Sequence, residues 1–271
     1  MTNPPMITPM TTPLTTRDTR TNSVDARTST PGAGAISIAS LNLRFGIDPR
    51  TEQPFDVTAA IRALDSDVVA LQEVWRPKRG DAAHEVAARA LGYRSIDLQL
   101  PRAHNKSSPP HVREHDGMHG TWWGVSLLSR LPILDHDALD FRPIRLDAAD
   151  RRALVARLDL GDRRTLRIVT PHLTYRLWAS HVHLRALARA ASEWNGPTVI
   201  LGDFNMWGPI VGHFLPDWRR PVRGRTWPAH RPHSQIDHVL VSPEFAATEA
   251  TVLPEVGSDH RPVRVRLRVD S

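Results

Sequence analysis

The sequence predicts an α/β fold, and three observations support this prediction. Short apolar segments rich in β-branched residues recur along the chain, as in Thr198–Leu201, and indicate buried strands. Segments with helical spacing lie between several of them, the longest from Trp178 to Trp194. The 271 residues, of which 40% are hydrophobic, suffice for one large domain or two small ones.

The composition narrows the class of protein without deciding the partner. The formal net charge is +6, and because Lys78 and Lys106 are the only lysines, nearly all of the positive charge is arginine. An arginine-rich protein favours phosphate-bearing partners, although a GC-rich coding bias produces the same composition. No apolar segment approaches the ~18 residues of a membrane span. The absence of cysteine excludes disulfides, thiolate metal sites and a cysteine nucleophile. We therefore expect a cytoplasmic monomer.

The first 33 residues differ from the rest of the chain. Residues 1–33 are rich in Thr, Pro, Ser and Asn and have no hydrophobic period, so we expect a disordered tail. The tail also lacks the apolar segment of a secretory signal. The folded domain is therefore expected to comprise residues 34–271.

Polar residues end the first two predicted strands. The strand beginning at Ala35 ends in Asn42 and Arg44, which share a face because they are two residues apart. A helix follows from Asp56, a candidate N-cap, to Leu64. The next strand, residues 67–74, carries Glu73 near its end. A carboxylate there is costly unless it is paired, for example with Arg76, or bound to a metal.

The middle of the chain continues the alternation. A helix is predicted from Asp81 to Leu91, closed by Gly92, and strands at 93–98, 121–130, 153–160 and 166–173. The loop 101–120 holds four histidines whose spacing matches no regular zinc site, so we expect a substrate-side or solvated loop. The strand 166–173 ends in His172-Leu173, and a lone histidine at such a position is more commonly a satisfied core histidine than a functional one.

The segment Thr198–Asn205 is the clearest candidate for chemistry. It is a buried strand that ends in Gly202, followed by Asp203 and Asn205. Two residues apart, these side chains would project together, and a carboxylate with a carboxamide suits a hard cation or a water near one. The alternative is an Asx turn that only ends the strand.

The last part of the chain combines a basic loop with two further strands. Residues 206–234 are rich in Pro, Trp and Arg, and include Arg223 and Arg225, which suit a phosphate backbone or a solvated loop. Strands are predicted at 235–241, beginning near Asp237, and at 263–269, preceded by Asp259 and His260.

Eight polar residues thus lie at the edges of strongly apolar segments: Asn42, Glu73, His172, Asp203, Asn205, Asp237, Asp259 and His260. One shared site accounts for them better than eight separate exceptions. Hydrolysis of a phosphodiester needs a divalent ion, a group that takes a proton from water and a cation or donor that stabilises the developing charge. Magnesium fits best because the carboxylate ligands are few and water completes the coordination.

The ordered motifs resemble the endonuclease/exonuclease/phosphatase superfamily of DNase I-like enzymes. The similarity extends from Ser37 to about Val269 and comprises Leu41-Asn42-Leu43-Arg44, Leu71-Gln72-Glu73-Val74, Leu127-Leu128-Ser129-Arg130, Thr170-Pro171-His172-Leu173, Gly202-Asp203-Phe204-Asn205, Ile236-Asp237-His238 and Ser258-Asp259-His260-Arg261-Pro262-Val263. The resemblance implies a four-layer α/β/β/α sandwich of two mixed sheets flanked by helices.

The resemblance also implies roles for the residues at the motif positions. Glu73 would be the principal magnesium ligand with Asn42 beside it, Asp259 would complete the metal or water network, and Mn²⁺ would be a substitute ion. Asp203 would orient or deprotonate the attacking water or protonate the leaving oxygen. The remaining catalytic positions are Asn205, which would hold the phosphate; His260, which would contact it; Asp237, which would orient His260; and His172. Independently of the resemblance, Arg44, Arg223 and Arg225 are candidates for binding substrate, because guanidinium groups suit phosphate oxygens.

The branch of the superfamily is less well defined. The Asn42-Leu43-Arg44 pattern differs from that of abasic endonucleases, and Ser234-Gln235-Ile236-Asp237 lacks the cysteine of inositol phosphatases. The leading hypothesis is a magnesium-dependent phosphodiesterase, a nuclease acting on DNA or RNA. The alternatives are a sphingomyelinase- or phosphatase-like enzyme acting on a lipid headgroup or a small phosphate ester, and an inactive binding module of the same fold.

Overall fold

Two mixed β-sheets packed face to face form the centre of the protein, in a computed structural model that describes residues 35–77, 79–100 and 122–269. The tail predicted for residues 1–33 and the histidine-containing loop predicted for residues 101–120 lie outside the described residues. No helix in the described ranges has the length and apolar character needed to span a membrane.

The first sheet has six strands: β1 (Ala35–Asn42), β2 (Val68–Arg76), β3 (Arg94–Gln99), β4 (Trp122–Ser129), β10 (Phe245–Val252) and β11 (Val263–Val269). Their order across the sheet is β10-β11-β1-β2-β4-β3. β1 and β2 are parallel, and the other neighbouring pairs are antiparallel. The parallel pair places the ends of β1 and β2 side by side.

The second sheet has five strands, which lie in chain order: β5 (Ile133–Asp140), β6 (Arg152–Gly161), β7 (Arg164–Pro171), β8 (Thr198–Asp203) and β9 (Asp237–Val241). β7 and β8 are parallel, so both end at the same edge of the sheet. β9 is antiparallel to β8, and its first residue, Asp237, lies opposite Asp203.

Four helices cover the outer faces of the sheets: α1 (Val57–Leu64), α2 (Ala83–Leu91), α3 (Leu177–Glu193) and α4 (Gly208–Phe214). The Asp56 side chain caps α1 by accepting the backbone N–H of Ala59 at 2.9 Å, as predicted. Gly92 ends α2 in the left-handed conformation that the sequence also predicted.

Buried apolar residues form one core between the sheets and one outside each sheet. The central core combines side chains of the first sheet, such as Ile38 and Leu127, with side chains of the second, such as Ile168 and Leu201. The outer face of the first sheet packs on α1 and α2, and that of the second on α3 and α4. The molecule therefore has the four-layer α/β/β/α architecture that the resemblance implied, and this expectation is confirmed.

Three elements were absent from the sequence-based expectation. β5 and β10 are sheet-edge strands whose residues are mostly exposed or half-buried, so they lack the apolar runs that marked the other strands. α4 forms within the Pro-, Trp- and Arg-rich segment that we expected to be loop. Its Pro209 lies in the first turn, where the missing N–H of proline is tolerated.

Candidate active site

All eight polar residues singled out in the sequence meet at one end of the paired sheets. Asn42 ends β1, Asp203 ends β8, Asp237 begins β9 and His172 follows β7 directly. Strand pairing extends one residue past the end of β7, since His172 and Asp203 form a parallel bridge. The loop before β11 brings Asp259 and His260 to the same place, because Ser258 Oγ donates to the carbonyl oxygen of Asn42 at 2.6 Å. The site therefore spans both sheets.

Glu73 occupies a β-bulge rather than the end of its strand. The register between β2 and β4 shifts between Gln72 and Val74, and Glu73 has a φ of 48°. A left-handed conformation is uncommon for a glutamate and is typical of functional sites. The bulge turns the carboxylate toward the site, while β2 continues to Arg76. The alternative of a salt bridge to Arg76 does not occur, because Arg76 pairs with Glu85 and lies 3.9 Å from Asp97.

Asn42 connects carboxylates from the two sheets. Its Nδ2 donates to Glu73 Oε1 at 3.2 Å and to Asp203 Oδ2 at 3.0 Å, and its Oδ1 accepts the backbone N–H of Arg44 at 2.9 Å. In this arrangement the amide nitrogen faces Glu73, so Asn42 holds the carboxylate in place. It would offer its oxygen to a cation at Glu73 only after rotation of the amide.

A buried hydrogen-bonded chain joins the sheets directly behind the site. Gln72 is fully buried, and its Nε2 donates to Thr170 Oγ1 of the second sheet at 3.0 Å. Its amide also bonds with Ser40 Oγ on β1 at 3.2–3.3 Å. Gln72 precedes Glu73, and Thr170 lies two residues before His172. The hydrogen bond between Gln72 and Thr170 therefore fixes the separation between Glu73 and His172.

Asp203 and Asn205 are brought together by a turn. β8 ends at Asp203, and Asn205 has a φ of 49°. The backbone N–H of Asn205 donates to Asp203 Oδ1 at 2.8 Å, and its Nδ2 donates to the carbonyl oxygen of Leu173 at 3.1 Å. The Asx turn considered as an alternative is therefore present, and this same turn places Asn205 next to Asp203 in the site. The expectation that both residues share a strand face is wrong.

Asp237 and His260 form a buried ion pair. His260 Nδ1 lies 3.1 and 3.0 Å from the two carboxylate oxygens of Asp237, and its Nε2 lies 3.9 Å from Asp203 Oδ2. Burial opposes the positive charge, but the charges of Asp237 and Asp203 raise the pKa of His260 to about 10. The imidazole is therefore a cation near neutrality, with Nε2 directed toward the acidic centre.

Asp203 and Glu73 both have pKa values above the ordinary range of a carboxyl group. Burial raises the pKa of Asp203 to about 7, against the opposing effect of the His260 charge. Burial and the charge of Asp259 raise the pKa of Glu73, although 23% of its side chain is exposed. Both groups therefore lie where an added positive charge would stabilise the ionised form.

His172 and Arg151 lie beside these carboxylates. His172 Nε2 is 3.6 Å from Asp203 Oδ2 and 3.8 Å from Glu73 Oε1, while its Nδ1 is buried without a hydrogen-bond partner in the described part of the chain. Burial and the charge of Arg151 lower the pKa of His172 well below its usual value, so the ring is neutral. Arg151 is itself buried, with two hydrogen bonds to Asp147 at 3.1 and 2.9 Å.

The donor set fits a hard divalent cation. The charge of Asp259 contributes to raising the pKa of Glu73, so these two carboxylates lie near each other. Asp203 and Asp237 add two further carboxylates, with oxygens within 4.8 Å of each other, beside the His260 cation. Carboxylate oxygens without soft ligands suit Mg²⁺ or Mn²⁺. Burial is the main cause of the raised pKa values of Glu73 and Asp203, so a cation bound beside them would replace stabilisation that these carboxylates lose on leaving water.

The three arginines expected to bind substrate occupy different positions. Arg44 lies 3.8 Å from Asp259 Oδ2 and 3.4 Å from Glu52 Oε1, so its guanidinium pairs with carboxylates of this chain. Arg223 and Arg225 are exposed, and neither forms an ion pair with another described residue. The next residue after Arg225, Thr226, accepts the backbone N–H of Asp237 at 3.3 Å, which places this loop at the edge of the site.

Sequence reasoning missed Arg151, Gln72 and Ser258 as site residues. Gln72 and Ser258 lay inside quoted motifs, but their contacts with Thr170 and Asn42 join distant segments. Arg151 was one of 33 arginines, and its spacing of four residues from Asp147 was the only local signal.

Comparison with known proteins identifies the family. A model of the Endonuclease/Exonuclease/phosphatase family matches residues 39–260, which is most of the chain. A search of curated proteins found no match.

Solved structures of the same architecture are numerous. An endonuclease/exonuclease/phosphatase from Beutenbergia cavernae aligns with a TM-score of 0.70 at 20% identity, covering 88% of this chain and 72% of that one. The human Nocturnin catalytic domain aligns with a TM-score of 0.64 at 15% identity over 91% and 97% of the two chains. ANGEL2, a 2′,3′-cyclic phosphatase, aligns with a TM-score of 0.65 at 15% identity over 88% and 96%. These likenesses establish the shared fold.

Proposed function

Since the chain belongs to the Endonuclease/Exonuclease/phosphatase family of metal-dependent phosphoesterases, we propose that it is a magnesium-dependent phosphodiesterase that cleaves nucleic acid. One observation carries this proposal. Carboxylates from both sheets, Glu73 and Asp203, converge on Asn42 within 3.2 Å, beside a protonated His260 held by Asp237. That arrangement combines a cation site with a base and a charged donor, which phosphodiester hydrolysis requires.

The roles of the residues follow from their protonation and position. Glu73 and Asp259 would hold the ion, with Asn42 orienting Glu73; when bound, the ion neutralises the phosphate and polarises the P–O bond. Asp203 would accept a proton from the attacking water and return it to the leaving oxygen as the P–O bond breaks, since its buried carboxylate faces the site 3.9 Å from His260 Nε2. His260 would donate through Nε2 to a phosphate oxygen and stabilise the charge that develops there.

The remaining groups would position the substrate. Asn205 would keep the phosphate near Asp203, because the turn fixes both residues together. The buried guanidinium of Arg151 has one nitrogen, Nη1, without a hydrogen-bond partner among the described residues, and that nitrogen is free to donate to a phosphate oxygen. His172 would remain neutral and offer a hydrogen bond without adding charge.

Charge and related structures support nucleic acid as the substrate. The chain is basic through arginine, and Arg223 and Arg225 are exposed at the edge of the site. Two proteins of the same fold were solved with phosphate-like anions: the Nocturnin domain with bound sulfate and ANGEL2 with adenosine-2′,3′-vanadate. A polyanion would gain from both the metal site and the basic edge.

Substitution of Glu73, the proposed main ligand of the magnesium ion, tests the proposal. We expect Glu73→Gln to lower Mg²⁺-dependent cleavage of plasmid DNA or structured RNA by about 10²-fold or more, because the ion loses its main anionic ligand. Glu244→Gln, an exposed carboxylate outside the site, is the matched control and should retain full activity. EDTA should abolish activity in the wild-type protein.

The substrate panel separates the competing functions. Sphingomyelin and a chromogenic bis-phosphodiester are assayed beside the nucleic acids, with circular dichroism to confirm folding. Full metal-dependent activity in Glu73→Gln would contradict the metal assignment. Cleavage of sphingomyelin but neither nucleic acid would overturn the substrate class, and a folded protein inactive on every compound would indicate a binding module.

A further inference from the structure

Exposed apolar side chains are concentrated beside the active site. Among the described residues, eight large hydrophobic side chains are exposed, and six of them lie in three neighbouring segments: Leu146, Tyr175, Leu177, Trp178, Trp207 and Ile210. Trp178 is 63% exposed and Trp207 is 53% exposed. Large apolar groups gathered in one area of a surface indicate a binding site.

Two of these segments leave the active site side by side. The Asn205 side chain donates to the carbonyl oxygen of Leu173 at 3.1 Å. Tyr175 lies two residues beyond Leu173, and Trp207 lies two residues beyond Asn205. Trp207 precedes α4, which packs against α3, the helix that carries Trp178 in its first turn. The exposed rings of Tyr175 and Trp207 therefore each lie two residues along the chain from a residue at the site, and one of those residues, Asn205, is a proposed phosphate ligand.

A series of ring and guanidinium contacts connects His172 to this surface. The ring of Trp123 lies 5.9 Å from that of His172, and the Arg151 guanidinium lies 5.5 Å from the Trp123 ring. Arg151 also lies 5.9 Å from the ring of Tyr175, which is exposed. Planar side chains in contact with one another thus extend from His172 in the site to Tyr175 at the surface.

Arg176 fixes the outer end of this series. Its guanidinium lies 4.6 Å from the Tyr175 ring, and its Nε and Nη2 donate to the carbonyl oxygen of Leu146 at 3.0 and 2.7 Å. Two planar, positively charged guanidiniums, those of Arg151 and Arg176, therefore lie within 6 Å of the Tyr175 ring. An aromatic ring with guanidinium neighbours is typical of surfaces that stack bases and attract phosphates.

We propose that Tyr175, Arg176, Trp178 and Trp207, here called the aromatic rim, bind unpaired bases next to the scissile phosphate. The substrate of the active site is then single-stranded nucleic acid. This inference rests on the proposed phosphodiesterase function and narrows its substrate. Stacking on tryptophan or tyrosine needs the face of a base, and a duplex keeps those faces covered by neighbouring base pairs.

The charges at the rim favour bases over a lipid surface. Arg151 is buried and paired with Asp147, so only a ligand that enters the site can reach its unpaired Nη1, which a flexible single strand can do and the flat surface of a bilayer cannot. A single-stranded nucleic acid can bind the aromatic rings and the guanidiniums together, because its bases stack on the rings and its phosphates bind the arginines.

Binding measurements without turnover test this inference. Fluorescence anisotropy is measured in EDTA with a labelled single-stranded RNA of about ten nucleotides, a length within the range that single-strand-binding sites occupy. The comparison ligands are an abasic oligonucleotide of the same length, a duplex of the same sequence, and phosphatidylcholine/phosphatidylglycerol vesicles. The variants are Trp178→Ala, Trp207→Ala and the conservative Trp178→Phe and Trp207→Phe. Leu134→Ala, which removes a 49% exposed side chain on β5, is the control.

We expect each alanine variant to bind the single-stranded RNA about tenfold more weakly, and each phenylalanine variant to recover most of the affinity. Affinity for the abasic oligonucleotide should change by less than about twofold, since it carries no bases to stack. The duplex should bind more weakly than the single strand, and Leu134→Ala should match the wild-type protein.

Three results would overturn the inference. They are equal losses for RNA and abasic oligonucleotide, duplex binding as tight as single-strand binding, and tryptophan-dependent binding of vesicles in place of RNA. Hydrolysis of a chromogenic bis-phosphodiester by the wild-type protein with Mg²⁺ is measured in parallel. If hydrolysis occurs but the rim variants bind RNA normally, only the rim assignment fails. If no phosphodiester is hydrolysed, the proposed function fails and this inference with it.

Discussion

His238 illustrates how a single buried imidazole can make stability depend on pH. It is fully buried next to the ion-paired Asp237, its Nε2 lies 2.8 Å from the carbonyl oxygen of Met206, and its ring contacts Phe204 edge to face. Burial lowers the pKa of His238 to about 4, with the Met206 carbonyl opposing that shift in part. The folded protein therefore keeps this ring neutral under conditions in which the unfolded chain takes up a proton.

We expect the His238 contribution to stability to be complete above about pH 6.5 and to fall as the pH decreases toward 4. The unfolded state binds the extra proton in that window, so stability rises with pH there. Between about pH 7.5 and 4.5 the wild-type protein should lose about 2.5 kcal/mol more than His238→Gln. Denaturant unfolding at both pH values measures the difference.

Glutamine at position 238 keeps an N–H donor for Met206 but does not titrate, so the comparison isolates the proton. His136→Gln, on the exposed side of β5, is the control and should retain the wild-type pH dependence. A pH dependence of His238→Gln equal to that of the wild-type protein would refute the assignment.

Single residues also show what the sequence could and could not predict about the site. Asp203 and His260 were found because a polar side chain beside an apolar strand is costly to bury unless a partner or a ligand compensates it. The left-handed backbone of Glu73 could not be predicted, because the bulge depends on the register between β2 and β4. Arg151 could not be distinguished from other arginines, because its burial depends on Asp147, Trp123 and the fold around them.

Among the elements, β7 and β8 approach each other closely at the site. A Cβ on Gly202 would lie 2.3 Å from the carbonyl oxygen of Pro171, well inside contact distance. Gly202 precedes Asp203, and Pro171 precedes His172, so the lack of a side chain lets the two strands carry these groups to within 3.6 Å. The glycine in the Gly202-Asp203-Phe204-Asn205 motif is thus required by strand spacing.

We expect Gly202→Ala to destabilise the protein by about 1–3 kcal/mol and to lower activity, since the strands must separate to admit the methyl group. Denaturant unfolding and steady-state rates on a chromogenic phosphodiester measure the two effects. Gly212→Ala in α4 is the matched control, because its Cβ would meet only the end of the Arg220 side chain at 3.4 Å. Unchanged stability and activity in Gly202→Ala would contradict the close approach.

The burial and length of each element account for whether the sequence predicted it. Interior strands such as β2 and β8 are buried on both faces and have continuous apolar sequences, so the sequence indicated them clearly. β5 and β10 lie at sheet edges, where one face meets solvent and polar residues are tolerated. α4 has only seven residues, too few for a helical period to be recognised.

For the whole molecule, the site joins parts of the chain that are otherwise connected mainly through apolar packing. Glu73 belongs to the first sheet, Asp203 to the second and Asp259 to the loop before β11. Burial raises the pKa values of Glu73 and Asp203, with smaller contributions from the charges of Asp259 and Asp237 respectively, which means that the folded state carries an electrostatic cost there. A cation held by Glu73 and Asp259 would offset that cost.

Bound Mg²⁺ should therefore stabilise the entire domain. A ligand that binds only the folded state adds about 2.7 kcal/mol at a concentration 100 times its Kd, so we expect Tm to rise by about 5–10 °C in saturating MgCl₂. NaCl at equal ionic strength should not reproduce the rise, because it screens the charges without occupying the site. Glu73→Gln should lose most of the rise, whereas Glu244→Gln should keep it. An equal rise in Glu73→Gln would place the cation elsewhere, since the gain depends on affinity of the folded state for the ion and Glu73 is its main anionic ligand in the proposed mechanism.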